Sequence, residues 1–383
     1  MFVLLQIKQS GRQALRFGIL NLVALYVIFG TTSFFTVLCI TIAVWSSLFV
    51  IKQIKNSAYQ RLTSLCGISL IVLLIVFFII YKKHFDSVVL GQINPAQSQG
   101  IDVLFRIVST ISFSYVFIRI LDLVRCVTWG QEKLINPIAL AGYLAPFHML
   151  IAGPLASYQE HLEMNKSEPP KPTIGHIIRC ANTITTGLFF KVVIAQAILI
   201  TRFGVEGKFE ILDWTDACLL FLYLYFDFGG YSLVALGVGR LIGVPTPINF
   251  NKPFLSKSVT DFWGRWHVSL GVFIKNNIYW PLQFWMARRV KNPKIAEALS
   301  LASMCASFSA VAIWHRVTPR FFIWGVATSI IMLMEKYLQG WLLSKPETTR
   351  RWINKSMVVI GPVYTMIIIV LTIWYLSFEL ANI

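Results

Sequence analysis

The chain has 383 residues, of which 34 are Lys or Arg and 17 are Asp or Glu, so its formal net charge is +17. Only 13% of the residues are charged and 56% are apolar, whereas a soluble domain usually carries about 25% charged residues. This composition excludes an ordinary cytoplasmic globular protein and a disordered chain. It also excludes a nucleic-acid-binding protein, because the basic residues lie between apolar runs rather than on one polar face. The sequence therefore predicts an all-α polytopic membrane protein.

Nine apolar runs predict transmembrane helices, and the full count is expected to be about nine to eleven, since about 20 apolar residues span a bilayer core. The first two runs form a helical hairpin that we expect to stay uncleaved, because no small-residue cleavage site follows the first run. The fourth run carries Arg119 and Asp122, which share a helix face, so each can neutralise the other. The runs cover residues 17–29, 33–51, 65–81, 103–124, 184–200, 218–242, 298–315, 321–337 and 357–378.

Two further apolar segments lack the pattern of a straight span. Residues 135–155 contain Pro137, Pro146 and Pro154, and so many helix breakers are tolerated at membrane depth only where the backbone is buried in protein. Residues 250–295 hold eight basic residues and one acid, with Trp side chains between them. This second segment predicts re-entrant or interfacial helices, with Trp at headgroup depth.

The distribution of basic residues predicts the orientation. It places the N-terminus and residues 52–61, 250–295 and 345–355 in the cytoplasm, and the acidic loop 206–216 outside. The polar loop 157–172 is the best internal boundary, but the composition is the same on both sides of it. We therefore expect one domain. Six cysteines without paired spacing exclude a disulfide framework and a zinc site, so no metal is expected.

Ionisable residues inside a membrane are costly, and each is a functional candidate, although structural pairing is the commoner explanation. The candidates are Arg106, Arg119, Asp122, His148, Lys191, Asp227, Arg240, His267 and His315. His267 and His315 stand out because each directly follows a Trp. An imidazole titrates near neutral pH, so it can take a proton from an attacking hydroxyl and return it later. The alternative is that these Trp-His pairs bind lipid headgroups.

Four stretches of the chain match, in order, the motifs of a known family. They are residues 187–195 (GLFFKVVIA), 225–232 (YFDFGGYS), 261–267 (DFWGRWH) and 314–315 (WH). Together they resemble the membrane-bound O-acyltransferase family, and most of all its bacterial branch that contains the alginate O-acetylation membrane subunit and the teichoic-acid D-alanylation membrane protein. The chain departs from the family pattern at Arg316, where the family usually has Gly.

The resemblance implies helices around a tunnel, with two histidines near its constriction, and acyl transfer from a thioester to a hydroxyl. It implies that His315 is the general base and that His267 is its catalytic companion, which positions or stabilises the developing oxyanion. Basic residues suit the phosphates of coenzyme A or an acidic acyl carrier protein. The candidates for lining the tunnel are Asp227, Tyr231, Trp263, Arg265, Trp266 and Trp314. The candidates for binding the donor are Lys275, Arg288 and Arg289.

We therefore expect a single acyltransferase domain over residues 1–383, with variable N-terminal helices (1–130), a catalytic core (135–338) and a last span (357–378). The expected reaction moves an acyl group, most simply acetyl, from acetyl-CoA or an acyl carrier protein to a hydroxyl of a cell-surface or exported glycan. No bound cofactor is expected. The expected setting is the plasma (inner) membrane, among membrane lipid, with an extracytoplasmic acyltransferase as an implied partner. The alternatives are D-alanyl transfer toward teichoic acid, a transporter or flippase of an acyl or glycan intermediate, and an inactive scaffold.

Overall fold

The computed structural model describes residues 13–53, 60–89, 105, 108–130, 132–164, 173–203, 213–290 and 292–380. Helices form the regular structure of these residues, which contain no strand; an isolated antiparallel bridge pairs Phe250 with Trp266. Among the described residues, seven helices are long and apolar enough to cross a membrane. The predicted class, an all-α polytopic membrane protein, is confirmed. Arg106 and parts of the predicted loops 157–172 and 206–216 lie outside the described residues.

The helices follow the predicted apolar runs and extend beyond most of them. They are α1 (Gln13–Gln53), α2 (Gln60–Val89), α3 (Phe113–Thr128), α4 (Pro137–Leu144), α5 (Tyr158–Glu163), α6 (Ile174–Leu188), α7 (Trp214–Ile242), α8 (Val259–Trp263), α9 (Val268–Ile274), α10 (Trp280–Ala287), α11 (Pro293–His315), α12 (Pro319–Leu343) and α13 (Glu347–Leu380). Helix α6 continues through π-helical turns to Phe203, and the π-helical turn Lys275–Tyr279 joins α9 to α10.

The described spans are fewer than the nine to eleven expected, for two reasons. The first two predicted runs both lie in α1, which Gly30 breaks with a non-helical backbone (φ 83°, ψ 176°). Two helical arms therefore meet at Gly30, and the rings of Tyr26 and Phe34 on either side of it are 6.0 Å apart. The predicted hairpin remains a prediction. The run 103–124 corresponds to α3, which has only 16 residues and is mostly buried.

The chain forms two compact units that interleave in sequence: Met1–Thr185 with Leu233–Pro247, and Thr186–Ser232 with Ile248–Ile383. The chain passes from one unit to the other three times: within α6, within α7, and between Pro247 and Ile248. The two units are defined by the contacts within each of them, and not by sequence position. The domain boundaries expected above remain a prediction.

The first unit is organised around the charged residues of α3. Arg119 is 1% exposed and donates to the carbonyl oxygens of Leu144 (3.4 Å), Met149 (3.2 Å) and Pro154 (3.0 Å). Asp122 pairs with Arg125 at 2.9 Å. Residues 135–155 form α4, a 3₁₀ turn and irregular chain, largely buried. The predicted irregular, buried segment is thus confirmed. Arg119 donates to three of its carbonyls, one at the end of α4, one at the end of the 3₁₀ turn and one in the irregular chain.

The second unit packs the short helix α8 against the long helices. Phe262 lies in one buried cluster with Phe221 of α7 and Ile369 of α13. A second buried cluster joins α11 to α12 through Ala312, Phe321 and Trp324. These clusters hold the segments that carry His267 and His315 in one apolar framework.

Candidate active site

His267 lies between α8 and α9 in a left-handed backbone conformation (φ 47°, ψ 49°). The chain around it is fixed by short pairings with the segment before α8. The N–H of Asn251 donates to the carbonyl of Arg265 (2.9 Å), and the N–H of Val268 donates to the carbonyl of Asn249 (3.0 Å). A residue with a Cβ adopts this conformation only where its surroundings impose it. His267 is therefore held in place by its neighbours on both sides.

The side chain of Asn249 reinforces this arrangement. Its amide oxygen accepts from the Ser269 hydroxyl (2.6 Å), and its amide nitrogen donates to the Ser232 hydroxyl (3.2 Å). All three residues are buried, at most 5% exposed. Buried hydrogen bonds of this kind order the turn after His267, because breaking them leaves polar groups without water.

The imidazole of His267 lies among aromatic rings. Its centroid is 4.8 Å from Phe228 and 6.3 Å from Trp314, with both rings edge-on. Burial, together with the nearby charge of His315, lowers the pKa of His267 to about 3. The ring is therefore neutral at physiological pH, and it can donate or accept a hydrogen bond without carrying charge.

His315 is the last residue of α11 and, unlike His267, it is exposed. Its ring centroid is 4.7 Å from that of Trp314 and 6.4 Å from that of Phe321. The residues on either side, Trp314 and Arg316, are buried. Buried neighbours hold the end of the helix while the imidazole stays accessible, which suits a group that exchanges protons with a substrate.

Both histidines line one cavity of about 580 Å³ in the second unit. Most of its wall is apolar and aromatic. The polar or basic side chains in the wall, besides the two imidazoles and four indoles, are Thr260, Lys275, Tyr279, Ser307 and Thr372. A concave apolar site with a few polar groups is the usual form of a small-molecule site.

One wall of the cavity is a single face of α11, made by Met304, Ser307, Phe308, Val311 and His315. These positions recur at the three- and four-residue spacing of a helix face. The first four of them were not among the residues predicted from the sequence. Counting back from His315 at helical spacing would have found them.

The predicted tunnel-lining residues divide into two groups. Trp263 and Trp266 line the cavity, whereas, among the described residues, Asp227, Tyr231, Arg265 and Trp314 are not part of its wall. Trp314 instead packs on both imidazoles.

The charged members of the second group are paired elsewhere. Asp227 binds Lys191 (2.5 Å), and Arg265 binds Asp261 (2.7 Å). Burial disfavours ionised Asp261, but the hydrogen bond and charge of Arg265 outweigh it and lower the pKa of that carboxyl.

The predicted donor-binding residues are also separated. Lys275 lines the cavity, at the start of the π-helical turn. Arg288 and Arg289 follow α10, outside the cavity wall, and the guanidinium of Arg289 lies 4.4 Å from the ring centroid of Trp285. Trp285 is 55% exposed. Of these three candidates, Lys275 alone lines the cavity that the histidines share.

Comparison with known proteins adds independent support for the family. The chain matches the model of MBOAT, the membrane-bound O-acyltransferase family, over residues 17–378. It is 26% identical to a teichoic acid D-alanyltransferase of Bacillus subtilis over 247 residues, which are 62% of this chain and 61% of the relative. It is 28% identical to a peptidoglycan O-acetyltransferase of Helicobacter pylori over 317 residues, which are 75% of this chain and 57% of the relative.

A probable alginate O-acetylase of Pseudomonas syringae is 27% identical over 279 residues, which are 70% of this chain and 52% of the relative. The chain therefore spans only about half to three fifths of the length of these curated relatives. The family match, by contrast, covers most of the chain and includes both histidine motifs. The chain belongs to the membrane-bound O-acyltransferase family.

Proposed function

We propose that this protein is a membrane O-acyltransferase that moves an acyl group, most simply acetyl, from a cytoplasmic thioester to a hydroxyl of a cell-surface or exported glycan. The observation that carries the proposal is the cavity that His267 and His315 share. Family membership supports the reaction class. Two of the relatives are named O-acetyltransferase or O-acetylase, which supports acetyl as the group transferred.

In the proposed reaction, His315 accepts the proton of the acceptor hydroxyl while the hydroxyl oxygen attacks the thioester carbonyl. A C–O bond forms, and the carbonyl oxygen becomes an oxyanion. When the tetrahedral intermediate collapses, the C–S bond breaks, and the thiolate takes the proton back from the imidazolium of His315. Neutral His267 is suited to donating a hydrogen bond to the oxyanion, because a neutral imidazole still carries one N–H group.

The donor is proposed to be acetyl-CoA or an acyl carrier protein that arrives from the cytoplasm. Lys275 in the cavity wall, with Arg288 and Arg289 beyond it, would attract the phosphates of either donor. The proposed setting is the plasma (inner) membrane, with a cytoplasmic N-terminus and an extracytoplasmic acyltransferase that receives the group. The seven candidate spans support a multi-pass membrane protein.

The test is release of ester-linked acyl groups from surface glycans by mild alkali, measured by mass spectrometry in otherwise matched cells. The strains carry wild type, His315→Ala, a deletion, or His84→Ala as a control. His84 lies on α2, in the other compact unit. Loss of the ester signal in the deletion and in His315→Ala, but not in His84→Ala, is the expected result, provided that all variants reach the membrane. An unchanged signal in His315→Ala would contradict the proposal.

The same experiment separates two of the alternatives that the sequence left open, D-alanyl transfer and transport. The Bacillus subtilis relative, named a teichoic acid D-alanyltransferase, favours D-alanyl transfer as the second candidate. Released D-alanine, in place of acetate, would identify that reaction and point to a carrier-protein donor. A transporter needs a path but no proton-transfer group, so it would lose the signal in the deletion and keep it in His315→Ala.

A further inference from the structure

Glu335 is a buried carboxylate on α12 that the reaction proposed above does not use. It is 7% exposed and lies within a candidate membrane span. A carboxylate in such a place is costly unless hydrogen bonds or opposite charge stabilise it. The hydrogen-bond partners of this carboxylate therefore indicate the role of Glu335.

The partners of Glu335 belong to the first turn of α8. Its carboxylate accepts hydrogen bonds from the N–H of Val259 (2.7 Å), from the N–H of Thr260 (2.9 Å) and from the Thr260 hydroxyl (2.6 Å). The side chain of Tyr364 on α13 also lies beside this carboxylate. Hydrogen bonds from several donors to an ionised carboxylate are short and strong. Glu335 thus ties α8 to the long helix α12.

The start of α8 has a local cap of its own, which Glu335 completes. The Ser258 hydroxyl accepts from the N–H of Asp261 (3.0 Å). The first N–H groups of a helix have no hydrogen-bond partner within the helix. Here Glu335 accepts hydrogen bonds from the N–H groups of Val259 and Thr260, and Ser258 accepts one from the N–H of Asp261. The tie therefore fixes both the position and the direction of the short helix.

The position of α8 affects the candidate active site, because His267 follows α8 closely in the chain. Tight turns follow α8 at once, since the N–H groups of Arg265 and Trp266 both donate to the carbonyl of Phe262 (2.8 Å each). His267 is the next residue. Helix α12 in turn carries Phe321, whose ring lies 6.4 Å from that of His315. A shift of α8 along α12 would change the separation of the two imidazoles.

We propose that Glu335 is a positioning residue for acyl transfer: by fixing α8 on α12 it sets the placement of His267 relative to His315. This inference rests on the proposed function for its catalytic consequence. The tie itself is a separate, physical statement that can be tested without any activity.

The test compares Glu335→Gln and Thr260→Val with wild type in purified, detergent-solubilised protein. Glu335→Gln keeps the size of the side chain but points an amide at N–H donors. Thr260→Val removes the 2.6 Å bond and leaves the side chain of Glu335 unchanged. The control is Glu347→Gln, which removes the exposed ion pair of Glu347 with Arg351 on α13. Two quantities are measured: hydrogen–deuterium exchange of the peptide covering residues 256–270, and kcat and KM for acyl transfer.

Glu335→Gln is expected to speed exchange in residues 256–270 and not in α3, which belongs to the other unit. It should lower kcat by about 10- to 100-fold with little change in KM, because a displacement of about 1 Å in a catalytic group costs about that much. Thr260→Val should show the same two changes in weaker form, and Glu347→Gln neither. Should Glu335→Gln fail to fold, Thr260→Val alone carries the test.

Unchanged exchange in residues 256–270 would overturn the inference, whatever the activity. Faster exchange with unchanged kcat would overturn it too, because the tie would then be structural only. Wild-type protein without acyl transfer in any donor–acceptor pair would count against the proposed function, whereas the exchange result would still decide whether Glu335 holds α8.

Discussion

Replacing His267 by glycine is expected to give a more stable protein than replacing it by alanine, which reverses the usual order. Both variants lose the imidazole and its contacts with Phe228 and Trp314, so those losses are common to the pair. What differs is the backbone, which is left-handed at this residue (φ 47°, ψ 49°). The comparison of the two variants therefore isolates the backbone contribution at this residue.

The size of the difference follows from two opposing effects. A left-handed conformation costs a residue with a Cβ about 1–2 kcal/mol, and glycine escapes this cost. Glycine loses more backbone freedom on folding than alanine does, and this lowers the stability of the glycine variant by about 0.5–1 kcal/mol. Taking the midpoints, the glycine variant should therefore be the more stable by about 0.8 kcal/mol in the free energy of unfolding, within a range of about 0–1.5 kcal/mol.

The assay is reversible unfolding in mixed micelles titrated with sodium dodecyl sulfate. Lys275 provides the matched control, because its backbone is helical (φ −58°, ψ −47°) within the run from α9 to α10. There alanine should be more stable than glycine by about 0.5–1 kcal/mol. If alanine is the more stable replacement at both positions, His267 does not hold a left-handed backbone, and the account of how the site is fixed is refuted.

Three further outcomes are expected. Lys191→Met should lower the yield of folded protein in membranes more than Lys191→Met combined with Asp227→Leu. The single change leaves the Asp227 carboxylate, which pairs with Lys191 at 2.5 Å within candidate spans, without this partner. Equal yields of the two variants would contradict this. Gly361→Ala should lower the unfolding temperature, since its Cβ would lie 2.7 Å from a backbone oxygen, whereas Gly340→Ala, with no described atom within 4 Å of its Cβ, should not. Burial lowers the pKa of His161 from 6.5 to about 4, so the unfolded chain binds a proton first and stability should fall as the pH drops through this window; His161→Phe should flatten the measured curve, and an unaltered curve would count against it.

The hydropathy pattern predicted the helices because every helix that crosses lipid needs a long apolar run whose backbone groups are hydrogen-bonded within the helix. The predicted runs 218–242 and 321–337 correspond to α7 (Trp214–Ile242) and α12 (Pro319–Leu343). The differences lie at the ends, where the helices continue past the apolar core into residues that hydropathy does not score as membrane. The breakers in 135–155 predicted an irregular segment for the same reason.

The site was predicted only in part, because the sequence indicates which residues carry chemistry but not how helices rotate. His267 and His315 were found from their residue type and their Trp neighbours, and the structure brings them to one cavity. Asp227 was expected in the tunnel wall but pairs with Lys191, since α7 turns Leu224 and Phe228 to the cavity instead. The partners of Glu335 lie 75 and 76 residues away in sequence, and no local pattern reports such a contact.

The π-helical turn Lys275–Tyr279 makes the cavity wall sensitive to chain length as well as to side-chain identity. Such a turn holds one more residue than the α-helix around it needs, and both of its end residues line the cavity. Successive helical residues are about 100° apart around the axis. Because the turn already absorbs the extra residue, deleting one residue here would give a plain α-helix, remove the local bulge from the wall and leave α10 and Trp280 near their present orientation. The same deletion in a plain α-helix would rotate everything after it by about 100°. Relatives that differ by a single insertion or deletion at this turn would enclose differently shaped spaces with almost the same residues.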